Sequence, residues 1–215
     1  MLVLAIDTAL AQCALAFWRD GQTLAMRRTP MARGHAEALA PMAQALFAEA
    51  GLAPAALDRI AVTTGPGSFT GLRVGLAFAR GLAAALDRPA VGISTLEALA
   101  PDVGLALCVH RALEGAVYAQ AFRDGAPLGP AALLSPANAA ALAPGAGLIA
   151  GTGAEFLAPL LPEAALAPDP LPDPVRLAAL AARRDPAASP PRPLYLRPPD
   201  AKLPGGRTPE GAAWA

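Results

Sequence analysis

This chain has few of the residues from which catalytic and metal sites are most often built. Its 215 residues include two cysteines, two histidines and 5% aromatic side chains, and 17 basic residues balance 17 acidic ones. Because the formal net charge is zero, no broad electrostatic field attracts nucleic acids or membrane surfaces nonspecifically. Any contact with RNA must therefore be local or shared with a partner.

Long apolar runs are also missing, although 54% of the residues are hydrophobic, largely because alanine is abundant. No window approaches the roughly 20 strongly apolar residues that cross a bilayer. Residues 1–7 lack the basic region and the small-residue cleavage site of a signal peptide. We therefore expect a soluble, cytoplasmic protein without membrane contact, in which Cys13 and Cys108 are buried and reduced rather than joined in a disulfide.

The first half of the chain predicts an α/β unit. Asp20-Gly21 is a strong hairpin signal, Gly51 ends the first helix, and Ser94 with Glu97 predicts a capping box. The predicted strands are residues 2–6, 13–19, 23–28, 60–64 and 90–93, and the predicted helices are residues 35–50 and 70–86. This β-β-β-α-β-α-β order is typical of an RNase H-like half domain, a mixed sheet covered by helices.

The second half repeats the beginning of the first. Residues 2–10 and 17–21 have counterparts in residues 105–113 and 120–125. A repeat of about a hundred residues indicates a duplicated domain rather than a solenoid, and chance similarity of two apolar hairpins is the alternative. Eighteen of the 24 prolines fall at or after Pro127, so the second unit should be reduced. Its predicted elements are a hairpin at residues 105–123, a strand at 148–150 and helices at 154–161 and 175–184.

These patterns predict the α/β class, with two duplicated RNase H-like lobes built on mixed sheets. The first lobe is assigned to residues 1–102 and the smaller second lobe to residues 103–184. Residues 185–215 are rich in Pro, Gly and charge, so we expect an extended tail with little structure of its own.

A glycine-rich turn, TGPGSFTGLRVG at residues 64–75, lies between a predicted strand and a predicted helix. Glycine permits backbone angles that line up successive N–H groups at a helix N-terminus, where an anion is favoured. A capped strand-to-helix turn is the alternative. The residues that would face a nucleotide or another anion are Asp7, Gly65, Gly67, Ser68 and Thr70, with Gly151 and Gly153 from the corresponding turn of the second half.

Five stretches in chain order resemble the TsaB (YeaZ) family of the actin-like ATPase superfamily. They are Ile6-Asp7-Thr8-Ala9, the glycine-rich turn at 65–75, Gly92-Ile93-Ser94-Thr95-Leu96-Glu97, Gly115-Ala116-Val117-Tyr118 and Leu194-Tyr195-Leu196-Arg197. The resemblance implies a noncatalytic scaffold that binds the transferase TsaD. It also implies that TsaE and tRNA are engaged through the larger complex, in which a threonylcarbamoyl group is transferred to a tRNA adenosine beside the anticodon. No residue of this chain is then catalytic.

The same resemblance implies where the partner binds. The expected interface in the first lobe comprises Leu39, Met42, Leu46, Gly71, Arg73 and Gly75. Leu39, Met42 and Leu46 are most simply the core face of the first helix, and both roles are compatible because a helix has two sides. Gly71 and Gly75 leave one helix face bare, so a partner backbone could pack closely, with Arg73 at the polar edge. The chain alone is expected to be able to pair with itself. No cofactor is required, and weak binding of ATP or ADP at the partner interface stays open.

The resemblance also implies that no metal is bound. TsaD holds its metal partly through a His-x-x-x-His pair, and Thr95 and Leu99 occupy those positions here. Asp7 either caps the following turn or binds a water or metal near a nucleotide, and the cap is favoured. The rival function is a small-molecule kinase or ATP hydrolase of the same superfamily that uses Asp7 and the glycine-rich turns around a magnesium nucleotide.

Three further features remain open. His35 is expected at a solvated surface or an interface. His110, which stands where the family is expected to carry Asp, is predicted to be a half-exposed structural residue. Tyr195 and the two residues after it are candidates for contact with tRNA or TsaD, and Lys202 and Arg207 are the basic residues that follow.

Overall fold

The first lobe is a five-stranded mixed sheet in a computed structural model that describes residues 1–197. Its elements are β1 (Leu2–Asp7), β2 (Gln12–Arg19), β3 (Gln22–Pro30), α1 (His35–Ala50), β4 (Arg59–Thr63), α2 (Phe69–Leu86) and β5 (Ala90–Ile93). The strand order is β3-β2-β1-β4-β5. β1 and β2 are antiparallel, whereas β4 runs parallel to β1 and β5 parallel to β4. Every residue of the central strand β1 is buried because both faces of the sheet are covered.

The second lobe repeats this topology with shorter elements. They are β6 (Leu105–Arg111), β7 (Val117–Arg123), β8 (Ala126–Pro127), β9 (Ala132–Leu134), α3 (Pro136–Ala140), β10 (Leu148–Ala150), α4 (Ala154–Leu157) and β11 (Ala165–Leu166), followed by α5 (Pro174–Arg183). The order β8-β7-β6-β10-β11 matches that of the first lobe, and β9 also pairs with β7. The matching strand order confirms the predicted duplication, and the shorter elements confirm that the second lobe is reduced. The strands are short because proline and glycine interrupt them.

Local signals position the elements of the first lobe. Asp20 and Gly21 adopt positive φ angles of 47° and 94° in the predicted hairpin turn. Gly51 ends α1 in the left-handed conformation, as predicted. One face of the sheet packs on α1 and α2, where the rings of Phe17 and Phe47 lie 4.7 Å apart.

Helix α5 covers the other face of the first sheet. Leu177, Ala178 and Ala181 pack against Val3 and Ala61. The assignment of this segment to the second lobe is therefore wrong, because the chain returns to the first lobe to bury an apolar sheet face that would otherwise be exposed.

The C-terminal end of α5 is fastened to β4. Arg59 donates hydrogen bonds from Nη1 to the carbonyl oxygens of Ala181 and Arg184, at 2.5 and 2.7 Å. A cation at this end of a helix satisfies carbonyl groups that have no partner within the helix.

Residues 185–197 contain no helix or strand, as predicted for the tail, but they lie along the first lobe. The Gly92 amide donates to the Ser189 carbonyl at 2.9 Å, and the Leu194 amide donates to the Thr64 carbonyl at 2.8 Å. The expectations for the rest of the tail, Lys202 and Arg207 included, lie outside the described residues.

Two local predictions are wrong. Ser94 Oγ accepts from the Leu96 amide at 3.2 Å and precedes only a 3-10 turn, while Glu97 pairs with Arg184 instead of closing a capping box. The helix predicted at residues 154–161 is the short α4 followed by turns, because Pro159 and Pro162 cannot continue it.

Helix α2 corrects the expectation that no stretch of the chain approaches the length and hydrophobicity of a membrane span. With 18 residues, it is long and apolar enough to cross a membrane by length and composition alone. Leu72, Leu76 and Ala79 on one of its faces are buried, and the helix contacts β1, β4 and β5 of the first sheet. This packing is that of a core helix.

Candidate functional site

The glycine-rich turn is packed against the chain's own backbone. A Cβ at Gly67 would lie 2.3 Å from the Ala9 carbonyl oxygen, and one at Gly65 would lie 3.0 Å from the Leu194 carbonyl oxygen. The Ser68 amide already donates to Ala9 at 2.7 Å. Carbonyl oxygens with partial negative charge therefore occupy the space beside Gly65 and Gly67, which argues against an anion there, and the anion-facing role of the turn stays a prediction. Ser68 caps α2 by accepting from the Gly71 amide at 3.3 Å, as predicted, whereas Thr70 is exposed and makes no such cap.

Gly71 and Gly75 allow the close approach that their spacing predicts, but the approaching segment belongs to the same chain. A Cβ at Gly71 would lie 2.1 Å from the Thr8 carbonyl oxygen, and one at Gly75 would lie 2.4 Å from Thr8 Oγ1. Thr8 Oγ1 donates to the Gly71 carbonyl at 2.8 Å. The expectation that these two glycines contact a partner is therefore wrong.

Asp7 is a buried cap, the role favoured from the sequence. Its carboxylate accepts from Thr63 Oγ1 at 2.7 Å, from Gln12 Nε2 at 2.6 Å and from the Ala9 amide at 3.1 Å. Burial raises the pKa of Asp7, while these hydrogen bonds act to lower it. Because protein groups already donate to both carboxylate oxygens, Asp7 does not project into an open site.

Gln12 is a residue that sequence reasoning missed. Its Oε1 accepts from Arg28 Nε and Nη2 at 3.1 and 3.0 Å, and Arg28 pairs with Asp169 at 2.6 Å. Gln12 Nε2 also donates to the Pro172 carbonyl at 2.8 Å. The one signal for this network is a polar residue at the start of an apolar strand.

Both histidines are buried, contrary to expectation. His35 Nε2 contacts the Gln12 carbonyl at 3.1 Å and acts as the donor there. His110 Nδ1 lies 3.4 Å from Thr152 Oγ1, and burial lowers the pKa of His110 to about 3. Each histidine fills an interior position instead of meeting solvent.

The second glycine turn is packed as tightly as the first. A Cβ at Gly151 would lie 2.0 Å from the Val109 carbonyl oxygen and 3.0 Å from the Leu99 side chain. The Gly153 amide donates to the Val109 carbonyl at 3.3 Å. Val109 therefore fills the space beside Gly151 and accepts from Gly153, and the anion-facing role of this second turn also stays a prediction. Within residues 1–197, no group of three or more His, Cys, Asp or Glu side chains could hold a metal ion.

The outer sides of α1 and α2 form the candidate docking surface. Leu39 and Leu46 are only 1% and 0% exposed, which confirms that they form the core face of α1 and means that they do not contact a partner. Met42 is half-buried and Arg73 is exposed. Helical spacing places Thr70, Ala77, Gly81 and Ala84 on the exposed side of α2, and we call these four residues the small-residue face. A Cβ at Gly81 would meet no atom within 4 Å.

An aromatic and cationic cluster lies beside that face. Phe69 is 44% and Tyr195 36% exposed, and their ring centroids are 5.4 Å apart. Arg73 Cζ lies 3.8 Å from the centroid of the Phe69 ring. Phe69 was missed at the sequence level because nothing there shows that Tyr195 is nearby.

The chain resembles known proteins over most of its length. Residues 29–126 match the family model described as TsaD, tRNA N6-adenosine threonylcarbamoyltransferase. An uncharacterised protein of Mycobacterium tuberculosis is 40% identical over 204 residues, which cover 93% of each chain. The tRNA threonylcarbamoyladenosine biosynthesis protein TsaB of Escherichia coli is 39% identical over 100 residues, or 46% of this chain and 43% of that protein. The solved structure of YeaZ from Pseudomonas aeruginosa matches with a TM-score of 0.74 at 29% identity, over 91% of this chain and 99% of that one.

Proposed function

This chain belongs to the TsaB (YeaZ) family of tRNA threonylcarbamoyladenosine biosynthesis proteins, and from that premise we propose that it is a noncatalytic scaffold that binds TsaD. TsaE and tRNA are engaged through the resulting complex, in the cytoplasm. The observation that carries the noncatalytic role is the packing of the two glycine-rich turns and of Asp7 against the chain itself. Their glycines face the chain's own carbonyl oxygens, and Asp7 is held by protein donors.

The same observation argues against a kinase or ATP hydrolase. Such an enzyme needs backbone amides and a carboxylate that face the phosphates and their metal ion. Here the Ser68 amide donates to Ala9, and Asp7 accepts from Thr63 and Gln12. ATP or ADP binding, if the complex has any, is then assigned to the interface with TsaD rather than to these turns.

The partner surface is assigned to the small-residue face of α2 and the adjacent side of α1. Small side chains allow a second helix to approach closely over a broad area. The four residues of this face carry no charge, so their burial leaves no ion unpaired. Half-buried Val74 and Phe78 continue the surface towards Met42 of α1.

Gly81→Trp tests this assignment without disturbing the fold, because space is open there. The variant should fold normally but fail to co-elute with TsaD. Gly129→Trp is the matched control, since Gly129 is an exposed glycine of the second lobe that also has open space at the Cβ position. That variant should co-elute with TsaD as the unmodified chain does.

A second experiment tests the proposal in cells by measuring the modification of tRNA. A strain that lacks this chain should lose threonylcarbamoyladenosine from its tRNA, and Gly129→Trp should restore it whereas Gly81→Trp should not. Failure of the unmodified chain to co-elute with TsaD, or full modification without the chain, contradicts the proposal. Saturable binding of magnesium ATP by the isolated chain, with release of phosphate, supports the enzymatic rival instead.

Self-association is assigned to the same face when TsaD is absent. Mass measurement of the isolated chain should then give a dimer that Gly81→Trp converts to a monomer. Adding TsaD should replace the homodimer with the heterodimer. Coexistence of the two contacts in one assembly contradicts a shared surface.

A further inference from the structure

The cluster of Phe69, Arg73 and Tyr195 is an exposed stack at the N-terminal end of α2. The Arg73 guanidinium lies over the Phe69 ring, and the Tyr195 ring lies next to Phe69 at an interplanar angle of 38°. All three residues are exposed to solvent. No ion pair among residues 1–197 involves Arg73, so its charge is not neutralised by a carboxylate there.

The segments around the stack carry charge of one sign. Residues 60–86 and 186–195 contain Arg73, Arg80 and Arg192 but no Asp or Glu. These two segments, which lie between Asp58 and Asp87 and directly after Asp185, carry a formal charge of +3 in a chain whose formal net charge is zero. A positive patch around exposed aromatic faces complements a ligand that has phosphates and flat bases.

Hydrogen bonds to the first lobe hold Tyr195 in place. The Leu194 amide donates to the Thr64 carbonyl at 2.8 Å, and Arg80 Nε donates to the Pro191 carbonyl at 2.9 Å. Phe69 begins α2, directly after the Ser68 cap. The stack is therefore largely preformed, which reduces the ordering that a ligand would have to impose.

The stack borders the proposed TsaD surface on α2. Phe69, Arg73 and Arg80 follow at spacings of four and seven residues and share one side of the helix, which faces residues 191–195. Gly81 and Ala77 lie on the neighbouring exposed side. The two surfaces therefore share a border along α2, and the test below scores RNA binding and TsaD binding separately.

We infer that the Phe69–Arg73–Tyr195 stack binds unpaired nucleotides of an RNA, with bases on the aromatic and guanidinium planes and a phosphate at the arginines. This inference rests on the proposed function in that the RNA is the tRNA engaged by the complex. Exposed bases stack on Phe, Tyr and Arg in single-stranded RNA recognition. A protein partner at this patch is the competing outcome of the test.

The experiment measures the affinity of the chain–TsaD complex for a tRNA transcript, for an RNA hairpin with a single-stranded loop and for a fully paired RNA of the same length. Phe69→Ala and Tyr195→Ala should each weaken binding of the tRNA and the hairpin about tenfold. Arg73→Ala should also make the negative slope of log affinity against log salt concentration less steep, by about 0.7. Binding of the paired RNA should change little with Phe69→Ala.

Phe156→Ala is the matched control. Arg111 Cζ lies 4.7 Å from the Phe156 ring, which makes a similar pair on the second lobe, but Arg111 is paired with Glu155. This control should bind RNA like the unmodified chain. Phe69→Tyr should keep most of the affinity, because it retains the aromatic plane.

Co-elution with TsaD is scored separately for every variant. Unchanged RNA affinity for Phe69→Ala and Tyr195→Ala in an intact complex overturns the inference. Loss of co-elution by these variants also overturns it and identifies a protein contact. If the unmodified chain does not co-elute with TsaD, the proposed function fails, and the isolated chain decides the inference. Saturable hairpin binding at low salt that Phe69→Ala weakens then supports it, and no such binding overturns it.

Discussion

Alanine at Gly75 and alanine at Gly81 should change the stability of the fold in opposite directions, although both glycines lie in helix α2. Replacing a helical glycine by alanine contributes about 0.5–1 kcal/mol of stability, chiefly through the entropy of the unfolded chain. Gly81 has open space around its Cβ position, so Gly81→Ala should realise that gain. The free energy of unfolding should rise accordingly.

At Gly75 the new methyl group would meet Thr8 Oγ1 at 2.4 Å. Thr8 cannot easily move, because it is buried and its hydroxyl donates to the Gly71 carbonyl at 2.8 Å. Overpacking of this kind costs about 1–3 kcal/mol. Since the helical gain is common to both substitutions, the difference in stability between the two variants isolates this steric cost.

Urea unfolding followed by circular dichroism gives that difference directly. The midpoint should rise for Gly81→Ala and fall for Gly75→Ala, with a gap in the free energy of unfolding of about 1–3 kcal/mol. In the double variant, Gly75→Ala should cost less stability than it does alone, because Thr8→Ala removes the oxygen that the new methyl group meets. Equal stabilisation by both glycine substitutions would refute the contact with Thr8 as the reason for Gly75.

The remaining predictions concern buried polar groups. Since burial lowers the pKa of His110 from 6.5 to about 3, the unfolded state binds a proton first as the pH falls. Stability should therefore drop by up to about 1.4 kcal/mol per pH unit below about pH 6.5, and His110→Gln should flatten this dependence in urea titrations. Asp7→Asn should cost about 1–3 kcal/mol, because its side-chain amide would face the Gln12 donor, and an unchanged midpoint contradicts this. Burial raises the pKa of Cys13 to about 11 and of Cys108 to about 12, so Ellman's reagent at pH 8 should label them only in unfolded protein.

Much of the fold could be predicted because its signals are local. The Asp20-Gly21 turn and the Gly51 helix end each depend on a few neighbouring residues, and both have the predicted conformation. The second lobe follows from its resemblance to the first. Helix α5 was assigned to the wrong lobe because a hydrophobic pattern shows that a face must be buried but not which sheet buries it.

The candidate site was harder to predict, for the same reason. The spacing of Gly71 and Gly75 indicates close packing, yet only the folded chain shows that Thr8 fills the space. His35 and His110 were misplaced because polar residues are usually exposed unless a particular partner is available inside. The Gln12 network joins β2 and β3 to residues 169 and 172, a contact that no local pattern indicates.

The return of α5 to the first sheet also governs when that lobe can fold during synthesis. The ribosome makes β1 to β5 first, but the sheet face formed by Val3, Ala61 and Val91 gains its cover only when Leu177 and Ala181 emerge. The nascent first lobe therefore remains an apolar, half-covered sheet while the whole second lobe is translated. Such surfaces bind chaperones or aggregate, so we expect the first lobe to reach its stable fold only after α5 has been synthesised.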